Sequence, residues 1–135
     1  EAAAKVGGKI IGVDVDQAGI IDGDYGEGMT VTSAMKGLYP ATYDTLTDVI
    51  VNGNWDKYVG QISTLGLVSG DDPTLNYVQI PMESTQWADG KFTQEDYKTL
   101  VKAMFDGTLT VSNDIKKAAS DFATVIALDD QGKIK

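Results

Sequence analysis

Residues 9–36 read KIIGVDVDQAGIIDGDYGEGMTVTSAMK, and this stretch decides the fold class. Lys9 to Val15 is an apolar run rich in β-branched residues, which is typical of a strand covered on both faces in a parallel sheet. After an acidic, glycine-rich loop, Met29 to Met35 is predicted to form a second strand, because valine and threonine favour extended backbone. The stretch therefore predicts two strands joined by a loop that carries several carboxylates.

Two helices are predicted further along the chain. Pro40 suits the first turn of a helix that ends at Asn52-Gly53. Thr93 and Asp96 form a capping-box pattern at the start of a helix that ends at Gly107. The predicted apolar faces consist of Tyr43, Leu46, Val49 and Ile50 in the first helix, and of Tyr97, Leu100, Val101, Met104 and Phe105 in the second. Strands that alternate with helices predict a single α/β domain over residues 1–135, with a mostly parallel sheet flanked by helices.

Other segments give weaker patterns. Residues 62–68 (ISTLGLV), 75–81 (LNYVQIP) and 108–111 (TLTV) are predicted to be short and extended, the second of them limited by Pro81. Ser112 is predicted to begin a further helix, and residues 128–135 (LDDQGKIK) to form a turn between two short strands. The inner face of that last helix would consist of Ile115, Ala118, Ala119, Phe122 and Ile126.

The composition excludes several classes of function. A formal net charge of −9 opposes binding to a phosphate backbone, so no nucleic-acid partner is expected. The chain contains no cysteine for disulfides or thiolate chemistry, and no histidine to act as general base or zinc ligand.

Residues 1–9 (EAAAKVGGK) favour a helix without an N-cap, which predicts either a portion cut from a larger protein or an added helical linker.

The carboxylates of the acidic stretch fit a calcium loop poorly. If Asp14 is the first position of an EF-hand loop, Asp16 and Gly19 fall where a ligand and a glycine are needed. The fifth position is then Ala18 and the twelfth is Tyr25, so two ligands are missing. The pattern therefore disfavours a specific calcium site.

Asp14 and Asp16 could alternatively form a catalytic pair. Residues two apart on a strand point to the same side, so the two carboxylates could approach each other. Paired acids support glycoside or phosphoryl chemistry, but such sites usually include further groups, and the chain has neither a GxGxxG nor a GxxxxGK[ST] pattern. The sequence therefore predicts a protein that is not an enzyme, with a metal-dependent α/β hydrolase fragment using Asp14 and Asp16 as the alternative.

A third interpretation places a ligand site at the strand ends. Ligands of open parallel sheets lie beyond the carboxyl ends of the strands, where Asp14 ends the first strand and Lys36 ends the second. A carboxylate there can accept two hydroxyl hydrogen bonds from a sugar diol, and a nearby ammonium group can donate. The alternative is that both charges only solvate the strand ends.

Three segments, taken together, resemble the signature of the BMP (basic membrane protein) type of substrate-binding lipoprotein, which serves ABC transporters. They are IIGVDVDQ at residues 10–17, TVTSAMK at residues 30–36 and ATYDTL at residues 41–46, in the order typical of that family. The similarity covers residues 9–50 well and the rest weakly, and the best-understood branch of the family comprises purine nucleoside receptors.

This resemblance implies a type I periplasmic-binding-protein fold, in which two Rossmann-like lobes close on a ligand. Residues 1–135 would be the C-terminal, second-lobe portion, with residues 112–135 forming a hinge return or a C-terminal extension. Asp14 and Lys36 would hold the ribose hydroxyls of a nucleoside, while Asp16 and Gln17 would either assist or serve the fold of the loop. No metal, cofactor or catalysis is implied.

The same resemblance implies partners and a location. They are a nucleoside or similar solute, an ABC permease, and an N-terminal lobe that supplies base-stacking aromatics and is not in this chain. An N-terminal lipid outside this chain would anchor the protein on the extracytoplasmic side of the cell membrane. Two charge-assisted hydrogen-bonding groups contribute about 4–8 kcal/mol before ordering costs, whereas micromolar affinity needs about 8 kcal/mol net, so these residues alone are expected to bind nucleosides poorly.

Overall fold

A computed structural model describes residues 1–114 and 116–121 of the chain. The strands are β1 (Ile10–Asp14), β2 (Thr30–Lys36) and β3 (Val78–Gln79), and the α-helices are α1 (Ala2–Lys5), α2 (Ala18–Tyr25), α3 (Leu38–Leu46) and α4 (Gln94–Phe105). A π-helical segment, Thr47–Val51, continues α3, and three short 3₁₀ helices cover Trp55–Lys57, Pro73–Leu75 and Ala119–Asp121. The protein is therefore a small α/β domain, as predicted.

The three strands form one mixed sheet in the order β1-β2-β3. β1 and β2 are parallel, with Ile10 opposite Thr30 and Asp14 opposite Met35. β3 is antiparallel to β2 and contributes only two residues. The predicted parallel pairing is confirmed for the first two strands, whereas residues 75–81 yield a much shorter and antiparallel strand than the sequence suggested.

The connection between β1 and β2 is a helix, so the prediction of a loop there was wrong. Two parallel neighbouring strands need a crossover connection, and α2 provides it. The side chain of Asp16 accepts a hydrogen bond from the Ala18 amide at the start of this helix, at 3.1 Å. Asp22 accepts hydrogen bonds from the amides of Gly28 (3.0 Å) and Thr30 (2.8 Å), which ties α2 to the start of β2. Asp16 and Asp22 thus accept hydrogen bonds from the backbone at the two ends of α2.

Apolar burial is limited among the described residues. Met29 and Val101 are the large apolar residues that are buried there, alongside the polar residues Thr30, Ser33 and Asn76. The Asn76 carboxamide accepts from the amides of Val68 and Ser69, at 2.7 and 2.8 Å. Hydrogen bonds to a buried amide therefore hold the irregular segment before β3, where residues 62–68 do not form the predicted strand.

The prediction that β1 is covered on both faces was wrong. β1 is an edge strand, and Ile11 and Val13 are 66% and 56% exposed. The predicted inner face of the next helix is likewise not buried, because Tyr43, Leu46 and Ile50 are exposed. Since no described element packs over these side chains, the domain presents an unusually apolar surface.

The two helix boundaries predicted from capping signals are confirmed. The Thr93 hydroxyl accepts from the Asp96 amide, and the Asp96 carboxylate accepts from the Thr93 amide at 2.7 Å, which completes the capping box of α4. Gly53, after the π-helical segment that continues α3, and Gly107, after α4, have φ of 69° and 74°, a left-handed conformation that favours glycine. The predicted apolar face of α4 is confirmed only in part, because Val101 is buried but Leu100 and Phe105 are exposed.

The predictions for the C-terminal region have mixed outcomes. Residues 108–111 do not form a strand, and no α-helix begins at Ser112 in the described part of this region, which has only the short 3₁₀ helix Ala119–Asp121. Ile115 and residues 122–135, including the predicted final turn, lie outside the described residues.

Close packing at Gly12 gives a test of the β1–β2 pairing. A Cβ atom at this position would lie 2.5 Å from the Ser33 Oγ and 2.9 Å from the Gln17 Oε1. We expect Gly12→Ala to lower the free energy of unfolding by about 1–3 kcal/mol, because the inserted carbon forces these side chains apart. Urea denaturation measures the change.

Gly23→Ala in α2 is the matched control, because a Cβ there meets no atom within 4 Å. It should raise the free energy of unfolding by about 0.5–1 kcal/mol, the usual gain from replacing glycine in a helix. Equal stability of the Gly12→Ala variant and the parent protein would show that β1 and β2 are not packed as described.

Asp48 lies near the start of the π-helical segment and accepts several hydrogen bonds from residues that follow the segment. Its carboxylate accepts from the side-chain amides of Asn54 at 2.6 Å and Asn52 at 3.3 Å, and from the Tyr58 hydroxyl at 2.9 Å. These bonds, with that of Asn54 foremost, lower the pKa of Asp48 from 3.8 to about 2. The ionised carboxylate therefore stabilises the turn that follows the helix.

This lowered pKa predicts a pH dependence of stability. Because the folded-state pKa is below the unfolded-state value, the stabilisation is complete above pH 3.8 and is lost as pH falls towards about 2. We expect Asp48→Asn to reduce the slope of unfolding free energy against pH in this window, measured by urea denaturation. A slope in Asp48→Asn equal to that of the parent protein would contradict the assignment.

Candidate functional site

The predicted meeting of Asp14 and Lys36 is confirmed. The Lys36 Nζ lies 2.6 Å from the Asp14 Oδ1, so the two side chains form an ion pair. Asp14 is the last residue of β1, and Lys36 is the last residue of β2, one position beyond the residue paired with Asp14. The parallel register therefore delivers a carboxylate and an ammonium group to the same end of the sheet.

The backbone at Asp14 is in an unusual conformation. Its φ is 71°, the only positive value at a non-glycine residue in the described part of the chain. The Val15 amide donates to the Val13 carbonyl at 2.9 Å, which closes a three-residue γ-turn around Asp14. Aspartate tolerates positive φ better than most residues, but the turn still stores strain. The chain thus leaves β1 abruptly at the residue that carries the carboxylate.

Gln17 braces this turn. Its side-chain oxygen accepts from the Val13 amide at 3.0 Å, and its own amide donates to the Ser33 hydroxyl at 3.1 Å. Gln17 therefore connects the end of β1 to the buried Ser33 of β2, and Gly12 leaves the space for this connection. Gln17 was predicted either to assist ligand binding or to serve the fold of the loop, and these contacts support the fold.

Asp16 also has a structural set of contacts. One carboxylate oxygen accepts from the Ala18 amide, and the other accepts from the Ser84 hydroxyl at 2.7 Å. Both oxygens of Asp16 are therefore hydrogen-bonded within the protein, whereas the Asp14 carboxylate is paired with the Lys36 ammonium group and accepts no hydrogen bond from another described residue. Sequence reasoning missed the supporting residues Ser33 and Ser84, because Ser84 lies 68 positions from Asp16 and no local pattern signals such a contact.

The ion pair is open to solvent. The side chains of Asp14 and Lys36 are 56% and 66% exposed. Lys36 also borders two shallow apolar cavities of about 380 and 340 Å³, one between the sheet and α4 and one beside the start of α3. A ligand that contacts Asp14 and Lys36 would therefore remain exposed on its outer side.

The described residues do not form a metal centre. They contain no cluster of three or more histidine, cysteine, aspartate or glutamate side chains that could hold a metal ion. The hydrolase alternative, which requires Asp14 and Asp16 to bind a divalent metal, finds no further ligand in this part of the structure.

Comparison with known proteins assigns no relative to the chain. No known protein family, curated protein or solved structure matches it. None of the described helices is long and apolar enough to span a lipid bilayer.

The energetics of the ion pair can be measured by a double-mutant cycle. Because both side chains are largely exposed, solvent screens their attraction, and we expect a coupling free energy of about 0.2–1 kcal/mol between Asp14→Asn and Lys36→Met. Urea denaturation of the four proteins measures it. The exposed helical pair Glu95–Lys98 serves as a reference and should give a similar value. A coupling far above 1 kcal/mol would make Asp14 and Lys36 a structural element of the fold.

Proposed function

We propose that this chain is the second-lobe portion of a substrate-binding protein of an ABC importer, and that it captures nucleosides. The observation that carries the proposal is the ion pair between Asp14 and Lys36 at the shared end of two parallel strands. Ligands of open α/β sheets bind at this position, beyond the carboxyl ends of the strands. Asp14 would accept hydrogen bonds from the ribose 2′ and 3′ hydroxyls, and Lys36 would donate to one of them.

The low cost of opening the ion pair supports ligand binding there. An exposed pair is worth at most about 1 kcal/mol, so a diol can insert between the two side chains with little loss of stability. A hydrogen bond to a charged group is worth about 1.5–3 kcal/mol. The γ-turn at Asp14 and its brace by Gln17 hold the backbone that carries the carboxylate in place before the ligand arrives, which reduces the ordering cost of binding.

The exposed apolar side chains near the site support the need for a second surface. Ile11 and Val13 precede Asp14 and are more than half exposed. A second lobe that closes over this end of the sheet would bury them together with the outer side of the ligand and would add contacts to the base. The membrane anchor and the permease belong to the same proposal.

The proposal is tested on the complete receptor, with this chain and its covering lobe, by calorimetric titration. We expect Asp14→Asn to weaken binding of a ribonucleoside by about 10- to 100-fold, because one charge-assisted acceptor is lost. A 2′,3′-dideoxynucleoside should bind weakly to the parent protein and should lose nothing further in the variant. Asp24→Asn, which removes an exposed carboxylate of α2, should leave the affinity unchanged.

Three outcomes would contradict the proposal. They are equal affinity for the two nucleosides, micromolar binding by residues 1–135 alone, and metal-dependent hydrolysis that both Asp14→Asn and Asp16→Asn abolish. The last would favour the hydrolase alternative.

A further inference from the structure

A separate cavity lies between α3 and the segment before β3, and neither Asp14 nor Lys36 lines it. It has a volume of about 480 Å³, within the usual range of small-molecule sites. Tyr39, Tyr43 and Asp44 line it from α3, and Val68 and Leu75 line it from the segment before β3. Aromatic, aliphatic and acidic groups therefore meet in one concave surface.

The two tyrosines form an exposed aromatic platform. They are four residues apart on one helix face, and their rings stack with centroids 5.9 Å apart and an interplanar angle of 15°. Tyr39 is 78% exposed and Tyr43 is 58% exposed, so ring faces remain accessible. The hydroxyl groups of both rings make no hydrogen bond to the described residues, which leaves the π surface as the feature they present.

Asp44 supplies the charge beside this platform. Its Oδ2 accepts from the Tyr77 hydroxyl at 2.8 Å, and no described group donates to its Oδ1. Asp44 forms no ion pair with a described residue, in contrast to Asp14, Asp48 and Asp71, each of which lies beside a lysine. The hydrogen bond to Asp44 and its negative charge raise the pKa of Tyr77. The cavity therefore carries an anionic group without a cationic partner in the described structure.

We propose that this cavity binds a small organic cation of the quaternary ammonium type. The faces of tyrosine rings attract cations, and quaternary ammonium groups are recognised by aromatic side chains. The carboxylate of Asp44 adds a direct attraction between opposite charges. An alkylated ammonium group also buries its methyl groups against Val68 and Leu75, which a hydrated inorganic ion would not do. An anionic ligand is disfavoured by Asp44 and by the net charge of −9.

The test compares choline with 3,3-dimethylbutan-1-ol, a neutral molecule of nearly the same shape, by NMR titration of the 135-residue chain. We expect choline to shift the ring signals of Tyr39 and Tyr43 saturably, whereas the neutral alcohol should bind at least about threefold more weakly. Asp44→Asn should weaken choline binding by about tenfold and abolish its preference over the alcohol, because only the charge is removed. Asparagine can still accept from Tyr77, so the local fold is retained.

Variants of the platform separate the ring from its hydroxyl. Tyr39→Leu should weaken choline binding, whereas Tyr39→Phe should bind choline within about twofold of the parent, because a phenyl face also attracts cations. Tyr25→Leu, at an exposed tyrosine outside this cavity, should have no effect. Equal binding of choline and the alcohol, undiminished binding in Asp44→Asn, or no saturable shift of the two tyrosines would overturn the proposal. None of these outcomes bears on the nucleoside site, because Asp14 and Lys36 are unchanged in every variant.

Discussion

The architecture of this protein depends on the close approach of β1 and β2 at Gly12. No side chain fits there, because the Ser33 hydroxyl and the Gln17 carboxamide occupy the space. Gln17 uses that space to bind the end of β1 and the middle of β2 at once. The parallel register that results places Lys36 beside Asp14, and it requires the crossover helix α2. The absence of a side chain at Gly12 therefore allows both the strand pairing and the geometry of the candidate site.

Polar contacts carry much of the internal organisation of the described residues. Asp22, Asp48 and Asn76 each gather two or more hydrogen bonds, whereas Met29 and Val101 are the buried large apolar side chains. Hydrogen bonds orient segments well but contribute less net stability than an apolar core. The exposed apolar surface of β1 and α3 is consistent with a domain that functions in contact with another surface or with ligands.

Local signals predicted local structure successfully. The capping box of α4 and the glycines that follow the π-helical segment and α4 depend on contacts within a few residues, and the strands β1 and β2 are marked by their own β-branched residues. The helix α2 was missed because its glycines and aspartates are weak helix formers, and the need to connect parallel strands outweighed that preference. The predicted burial of the apolar residues of β1 and α3 assumed a covering layer of structure, which the described residues do not provide.

The sequence by itself determined the α/β class and the positions of Asp14 and Lys36 at two strand ends, because strand propensity and chain order are local properties. Only the tertiary structure decided that these side chains form an ion pair, that Asp14 sits in a strained turn, and that Gln17 and Asp16 serve as braces. The cavity formed by α3 and the segment before β3 was likewise decided only by the tertiary structure. The ion pair, the Gln17–Ser33 and Asp16–Ser84 hydrogen bonds and the cavity join residues that are far apart in the chain, so their geometry follows from sheet register and packing.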